Sequence, residues 1–377
     1  MTTSSSKPSL LDDTIPSTRR GSLWTAFWIV LAVAVVTVVA ANARRGAVAD
    51  RISNRGVTGA PRPVRPLFGF EHWVQALQIG TLVSVVCVLG VFLVAWRRFP
   101  RHPVLVMALM TTLIVWQDPI MNWAPYAVYN PDLWHWPENW PLVSISPTVE
   151  PFVVFGYAFF YLGPYFPAIW TLRRLRAGHG RGSFLWRHPL ISLALLILVM
   201  GFAIDAALEI TLVHTGMYIY SQVIPWGSVS AGTTYQFPLI WESVMVTFVM
   251  IPAGVLLYRD DTGRTTAEKL AQRARLFPGR PFLGMFTVMF VIINVSYFAY
   301  GAGFGIIRAG KLATSVACPW PYPEAKVYDP QGFYAKAGAP GPYSVGKWST
   351  WMTAQPDGRP NVATSPAGPC APGGRSR

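Results

Sequence analysis

The chain has 377 residues, of which 52% are hydrophobic and only 13% are charged. Soluble globular domains carry about 25% charged residues, so this composition excludes a soluble protein and indicates a membrane protein. The net charge of +14 is spread over loops that flank predicted membrane spans. Because the chain has no zinc-ligand spacing and no single basic face, we expect no nucleic-acid partner.

Seven apolar stretches approach or exceed the ~20 residues that a helix needs to cross a bilayer. We therefore predict an all-α fold, a polytopic membrane helix bundle of about seven transmembrane helices followed by an irregular C-terminal tail. The predicted spans are 24–43, 73–96, 104–121, 150–170, 190–214, 237–258 and 282–304. The third is the shortest, and Pro119 near its end predicts that this helix stops early or bends.

The distribution of basic residues predicts how the chain is oriented. Three loops are rich in Lys and Arg: loop 97–103 contains three, loop 171–189 contains five and loop 258–281 contains six. The alternate loops contain none, and they are 122–149 and 215–236. The positive-inside rule therefore predicts a multi-pass protein of the cell membrane with a cytoplasmic N-terminus and an extracytoplasmic C-terminal tail. Loop 44–72, with six Arg but assigned to the outside, opposes this assignment.

The spans divide the chain into three predicted regions. Residues 1–23 form a disordered N-terminal tail, 24–304 the transmembrane helix bundle, and 305–377 a Pro/Gly-rich extracytoplasmic tail. The first span resembles both a signal peptide and a retained anchor; its apolar core of about 17 residues exceeds the usual 7–15 and favours the anchor. Cys318 and Cys370 in the tail either form a disulfide or remain free thiols.

Five acidic side chains lie within or at the ends of the apolar spans. They are Asp118, Glu150, Asp205, Glu209 and Glu242. A carboxylate at mid-bilayer depth costs about 2.5–3.5 kcal/mol on insertion scales, so such residues usually mark a pathway or a site. The predicted topology places all five in the outer half of the membrane, which predicts a shared cavity near the external side.

Asp205 and Glu209 are four residues apart and therefore lie on one face of a helix, one turn from each other. Mutual repulsion and apolar surroundings both favour the neutral form, so we expect at least one of them to hold a proton near neutral pH. A neutral acid beside a carboxylate suits general acid–base catalysis. The alternative is that each acid only forms hydrogen bonds to backbone or Tyr groups within the bundle.

Metal binding is a competing interpretation of the same residues. Asp205, Glu209, Glu242 and His214 would be the ligands, but the spacing of five from Glu209 to His214 turns the imidazole away from the acidic face. The chain contains no HExxH or equivalent spacing. We therefore predict no metal ion and no other cofactor.

The outer loops 122–149 and 215–236 are rich in Trp, Tyr and Pro. They form either an aromatic belt at the headgroup level or a rigid lid that excludes water from a lipophilic substrate. Polar residues on one face of the seventh span extend the same cavity. The residues that we expect to bind the substrate are Glu150, Asn122, Trp123, Tyr126, Asn294 and Tyr297.

The string Trp116 to Trp123 (WQDPIMNW), the aromatic outer loop, Glu150 with Pro151 and the multi-span layout resemble the AveC-like spirocyclase family of actinobacterial membrane proteins. The resemblance extends over residues 70–310. It implies a secondary-metabolism enzyme that closes a spiroketal on a polyketide and can also dehydrate it. No catalytic residue is transferred from the family to this chain.

Together these features predict a spirocyclase or dehydratase that acts on a lipophilic small molecule, either a polyketide or a lipid-like substrate. Asp205 or Glu209 is the predicted general acid, with Glu242 and Asp118 as stabilisers or bases. Membrane lipids are the other expected partners, and the sequence leaves protein partners unknown. The competing hypotheses are a proton- or cation-coupled transporter and a non-catalytic membrane partner protein.

Overall fold

The computed structural model describes residues 18–42, 67–137, 140–152 and 156–317. The helices in these ranges are α1 (Thr18–Asn42), α2 (Trp73–Arg98), α3 (Pro103–Leu113), α4 (Asp118–Trp123), α5 (Tyr157–Leu162), α6 (Tyr165–Ala177), α7 (Phe184–Arg187), α8 (Pro189–His214), α9 (Leu239–Met245), α10 (Thr247–Leu257), α11 (Thr266–Arg273) and α12 (Pro281–Ala309). The strands are β1 (Ala127–Tyr129), β2 (Tyr218–Tyr220), β3 (Gln222–Val223) and β4 (Ser315–Val316). The predictions for the first 17 residues, for a Cys318–Cys370 disulfide and for the tail from residue 318 onward lie outside the described residues.

Five helical segments of the described chain are long and apolar enough to cross a membrane. They are Trp73–Arg98, Pro103–Trp123, Pro189–His214, Leu239–Leu257 and Pro281–Ala309. The prediction of a mostly helical protein is confirmed, but two of the seven predicted spans do not meet this criterion. The described apolar part of α1, Leu23–Thr37, is shorter. The predicted span 150–170 contains the short helix α5 and part of α6, because Gly163 and Pro164 interrupt the helix.

The predicted bend in the third span is confirmed. Helix α3 ends at Leu113, a 3₁₀ turn occupies Ile114–Gln117, and α4 begins at Asp118 with Pro119 in its first turn. Proline has no N–H to donate to the carbonyl four residues earlier, and in this turn the Val115 carbonyl accepts from the Asp118 N–H instead. The bend leaves the Asp118 side chain fully buried, with 0% of its surface exposed.

The hydrophobic core lies where α3, α6, α8, α10 and α12 meet. Helices α8 and α10 approach each other closely at Gly254, where a Cβ atom would lie 2.3 Å from Ile197 Cδ1 and 3.1 Å from the Tyr165 ring. Ile197 is itself fully buried. A small residue is therefore required at this crossing, as is common where membrane helices pack without a hydrophobic driving force between them.

We expect Gly254→Val to destabilise the protein, because overpacking a close-packed core costs about 1–3 kcal/mol. The matched control is Gly80→Val on α2, where an added Cβ meets no atom within 4 Å. Thermal unfolding in detergent micelles should show a lower midpoint for the first variant and a midpoint near that of the wild type for the second. Equal midpoints for the two variants would contradict this close approach.

The loop after α4, the loop after α8 and the segment after α12 pair in short antiparallel sheets. Strand β1 pairs with β2, with Ala127 opposite Tyr220, and β3 pairs with β4. Strand β4 belongs to the region that the sequence predicts as an irregular tail, and α12 continues past residue 304 to Ala309. These extra residues are ordered because Ile307 and Arg308 still pack against the bundle, each with 9% of its surface exposed. The result is a small β cap over one end of the helix bundle.

Candidate active site

Asp118 accepts hydrogen bonds from three side chains that come from three parts of the chain. Its Oδ1 accepts from the Tyr297 hydroxyl at 2.8 Å and from the Tyr157 hydroxyl in a short contact. Its Oδ2 accepts from Asn122 Nδ2 at 3.0 Å. The bend at Pro119 directs the carboxyl group into the bundle, and α5 and α12 supply the two phenols. Asp118 is therefore held rigidly in the interior.

Asn122 joins Asp118 to a second buried acid, Glu150. Its Nδ2 donates to Asp118 Oδ2 at 3.0 Å and to Glu150 Oε2 at 2.9 Å. An amide nitrogen has two hydrogens, so these bonds use both. Ser146 Oγ also donates to Glu150 Oε2, at 2.6 Å, while Glu150 Oε1 has no hydrogen-bond partner within the described chain. Asn122, which the sequence assigns to substrate binding, thus holds two acids in position.

The local environment of Glu150 favours its neutral form. Burial, followed by repulsion from Asp118, raises the pKa of the Glu150 carboxyl well above its ordinary value of 4.5. Hydrogen bonds from Ser146 and Asn122 act in the opposite direction and are outweighed. Glu150 therefore retains its proton at pH values where an exposed carboxyl has lost it.

We expect the stability of the wild-type protein to fall more steeply with rising pH than the stability of a Glu150→Gln variant. Above pH 4.5 the unfolded chain releases the Glu150 proton while the folded protein keeps it, so the free energy of unfolding decreases up to the raised pKa. The amide does not titrate. Thermal unfolding midpoints between about pH 5 and 8 test this. Glu71→Gln, at an exposed acid, should follow the wild type, and parallel curves for wild type and Glu150→Gln would contradict the expectation.

A second acidic group lies between α8 and α9. Glu242 lies in the first turn of α9, where the helix dipole favours a negative charge, and its Oε1 accepts from the Tyr300 hydroxyl. Glu242 Oε2 has no hydrogen-bond partner in the described ranges. Asp205 on α8 is fully buried, and neither of its carboxyl oxygens has such a partner there. The Ser243 hydroxyl is also buried, and it interacts with the Asp205 carboxyl without reaching normal hydrogen-bond geometry.

Helix α12 connects the two acidic groups. Tyr297 contacts Asp118 and Tyr300 contacts Glu242, and the centroids of the two phenol rings are 5.9 Å apart. Glu209, which is half-buried on the same face of α8 as Asp205, interacts electrostatically with Asp205, Glu242 and Asp118. The structure therefore brings all five acids that the sequence singles out into one region, and the phenols of α12 contact two of them, Asp118 and Glu242.

The other residues assigned to substrate binding have different surroundings. Asn294 Oδ1 accepts from Trp116 Nε1 at 2.8 Å and from Gln117 Nε2 at 2.9 Å, so it anchors the 3₁₀ turn rather than facing the acids. Trp123 and Tyr126 lie beside Arg308, whose guanidinium carbon is 5.6 and 4.8 Å from their ring centroids. These two aromatic residues form part of the outer end of the site.

Sequence reasoning missed three functional candidates that contact the acids, namely Tyr157, Tyr300 and Ser146. It also missed Arg308, which donates to the Trp123 carbonyl. One signal was available, because Tyr297 and Tyr300 are three residues apart and so lie on nearly the same face of a helix. Tyr157 gave no such signal because a tyrosine in an apolar span counts as one more hydrophobic residue.

The site contains oxygen ligands but lacks the geometry of a metal centre. Within the described ranges, no group of three or more His, Cys, Asp or Glu side chains is arranged to hold a metal ion. His214, considered as a ligand from the sequence, stacks on Tyr235 with ring centroids 5.1 Å apart. The arrangement that remains is a set of buried carboxyl groups and phenols, which can donate, accept and relay protons without a cofactor.

Comparison with known proteins gives one result. Residues 96–328, more than half of the chain, match the family model described as "Spirocyclase AveC-like". This range contains all five acids and both tyrosines of α12. No curated protein and no solved structure matches the chain.

Proposed function

Because the chain belongs to the AveC-like spirocyclase family, we propose that it is a membrane-embedded enzyme that closes a spiroketal ring on a lipophilic substrate. The observation that carries this proposal is the meeting of five acidic side chains from α4, α8, α9 and an outer loop around the phenols of α12. Such groups are costly in an apolar interior and are retained where they act.

The buried oxygens without hydrogen-bond partners support a hydroxyl-bearing substrate. Glu150 Oε1, Glu242 Oε2 and both carboxyl oxygens of Asp205 are buried oxygens without a hydrogen-bond partner of normal geometry among the described residues. An unsatisfied buried polar group costs about 1–3 kcal/mol, and most such groups in proteins find a partner. The two hydroxyl groups of a dihydroxyketone, each able to donate and to accept, would supply the missing partners.

The proposed reaction converts a dihydroxyketone into a spiroketal and one water. The first hydroxyl adds to the ketone carbon, and its proton passes to the former carbonyl oxygen to give a hemiketal. A carboxylic acid protonates the hemiketal hydroxyl, and the C–O bond breaks. Water departs, and an oxocarbenium ion remains. The second hydroxyl attacks this carbon and gives its proton to the carboxylate that the acid has become. All atoms and protons are then accounted for.

We assign the roles from position. Asp205 or Glu209 is the general acid, because Asp205 is buried without hydrogen bonds and Glu209 is one turn away on the same face. Glu242 and Asp118 stabilise the oxocarbenium ion or accept the second proton, each aligned by a phenol of α12. Glu150 and Asn122 position Asp118. The same acids can promote loss of a second water, which would make the enzyme a dehydratase as well.

We also propose the finer topology. The bundle spans the membrane seven times, with α1 and the pair α5–α6 as the remaining spans. Helix α1 packs along α12, where Trp28 Nε1 donates to Thr287 Oγ1 at 3.1 Å. The N-terminus is cytoplasmic and the acids face the outer half of the membrane. Modification of single engineered cysteines by a membrane-impermeant reagent tests this topology. A cysteine at position 311 that the reagent reaches only from the cytoplasmic side would contradict it.

The experiment that tests the function uses the full chain in lipid nanodiscs with a linear lipophilic dihydroxyketone as probe. Mass spectrometry should show a product that has lost one water, formed faster than in empty nanodiscs. Chiral chromatography should show one excess stereoisomer, which uncatalysed closure does not give. A rate and isomer ratio equal to those of empty nanodiscs would overturn the proposal.

One observation favours a second candidate function, proton-coupled transport. Two spans are interrupted beside acids, at the 3₁₀ turn before Asp118 and at Val246 after Glu242 and Ser243. Interrupted helices near mid-membrane are typical of secondary transporters. Uptake of the same dihydroxyketone into proteoliposomes, driven by a pH gradient and without water loss, would favour transport over ring closure.

A further inference from the structure

A groove runs along the outer half of α12, between this helix and α4. Its volume is about 470 Å³, within the range of small-molecule sites. The groove extends from Tyr297 to Ala309 on α12, about 18 Å at ~1.5 Å per residue. Its wall is mainly apolar, and the residues that matter here are Ile120, Met121, Phe298, Gly301, Gly305 and Ile306.

The inner end of the groove lies one side chain away from Asp118. Tyr297 lines the groove, and its hydroxyl donates to Asp118 Oδ1 at 2.8 Å. Gln117, the residue before Asp118, lines the same end. A chain that fills the groove therefore ends one side chain away from a buried carboxyl group.

The outer end of the groove is positively charged. Arg308 and Lys311 line it, and no acidic residue is among the described residues of its wall. The Arg308 guanidinium is oriented by the Trp123 carbonyl, which accepts from Nη1 at 2.8 Å, and by the rings of Trp123 and Tyr126. Lys311 is exposed. An anion placed here would meet two cations, one of them already fixed in direction.

The groove is open along one side of the bundle. Phe298 and Ile306 at its edge have 60% and 70% of their surface exposed. The floor is low at Gly305, where an added Cβ would meet no atom within 4 Å. A single apolar chain can therefore enter sideways from the bilayer and lie against the helix.

We propose that this groove binds the substrate of the ring-closing reaction, and that the substrate is a single-chain amphiphile with a carboxylate at one end. The carboxylate binds to Arg308 and Lys311, the apolar chain lies over Gly301 and Gly305, and the reacting segment lies at Tyr297, whose hydroxyl connects it to Asp118. This rests on the proposed function. It adds that the substrate carries an acid and arrives from the outer half of the membrane.

The binding test uses the full chain in nanodiscs and two photoreactive probes of equal length, a tetradecanoic acid and the corresponding alcohol. We expect the acid to label peptides from α4 and α12, and the alcohol to label them about tenfold less, the effect of losing one charge-assisted hydrogen bond. Lys311→Glu should reduce acid labelling by a similar factor, and Gly305→Leu should block both probes. Gly90→Leu on α2, also at an open position, is the matched control and should label as the wild type does.

Each contrary outcome overturns the proposal. Equal labelling by the alcohol would show that the carboxylate does not contribute to binding. Unchanged labelling of Gly305→Leu would show that the probe does not bind in the groove. Displacement of the acid probe by an equal concentration of phosphatidylglycerol would show that the groove binds membrane lipid instead of the substrate.

The binding test can be distinguished from a test of the proposed function, because the Asp118→Asn variant should still be labelled. Labelling without turnover of a carboxylate-bearing dihydroxyketone would defeat ring closure alone, and equal KM for acidic and neutral dihydroxyketones would defeat the groove proposal alone.

Discussion

The double variant Asp205→Asn, Glu209→Gln is expected to lose about 10²–10⁴-fold of the ring-closure rate, the usual contribution of general acid–base catalysis. The amides have nearly the same shape as the acids, and an amide at position 205 keeps an oxygen for the nearby Ser243 hydroxyl, the one hydroxyl that interacts with Asp205 in the described chain. Neither amide can protonate a departing hydroxyl group. The loss should therefore be chemical rather than structural.

The measurement is the initial rate of water loss from the dihydroxyketone in nanodiscs, with equal amounts of folded protein. Circular dichroism and gel filtration in detergent establish that the variant is folded. The matched control changes two exposed acids outside the site, Glu71→Gln with Asp261→Asn, and should keep the wild-type rate. Full activity in the double variant would remove Asp205 and Glu209 from the mechanism.

The largest effect on stability is expected from Asp118→Leu. This substitution removes the acceptor for two buried donors, Tyr297 and Asn122, and for the half-buried Tyr157. Each buried donor left unsatisfied costs about 1–3 kcal/mol, so the total is several kcal/mol, less whatever Asn122 recovers at Glu150. Asp118→Asn keeps an oxygen for the two phenols and should be destabilised much less.

Thermal unfolding in detergent micelles distinguishes these variants. The midpoint should fall in the order wild type, Asp118→Asn, Asp118→Leu. Asp261→Leu, which places the same side chain at an exposed acid, is the control for the general effect of the substitution. Equal midpoints for Asp118→Leu and Asp261→Leu would show that the hydrogen bonds around Asp118 contribute little.

The location of the acids could be predicted from the sequence, but their partners could not. A carboxylate in an apolar helix has few tolerable surroundings, so a shared cavity is the natural expectation for Asp118, Asp205 and Glu242. The bridge from Asp118 to Glu150 through Asn122 depends on how the outer loop folds back, with Ser146 beside it. No periodic pattern encodes a contact of that kind.

The residues that differ from expectation have a common physical reason. Asn294 shares a helix face with Tyr297, yet it bonds to Trp116 and Gln117 because the 3₁₀ turn leaves these side chains beside it. The strands of the outer cap have two or three residues each, too short for an alternating pattern to be recognised. In both cases the long-range packing decides, and the local sequence does not.

The most direct test of the account compares four proteins: wild type, Asp118→Asn, Glu242→Gln and the variant that combines them. If these two carboxyl groups serve one substrate in one cavity, each single change should slow ring closure about 10²-fold or more, and the combination should be little slower than the worse single variant. If the rate losses of the two single variants instead multiply in the combined variant, Asp118 and Glu242 have separate, independent roles. A combined variant that closes the ring as fast as the wild type would contradict the central claim.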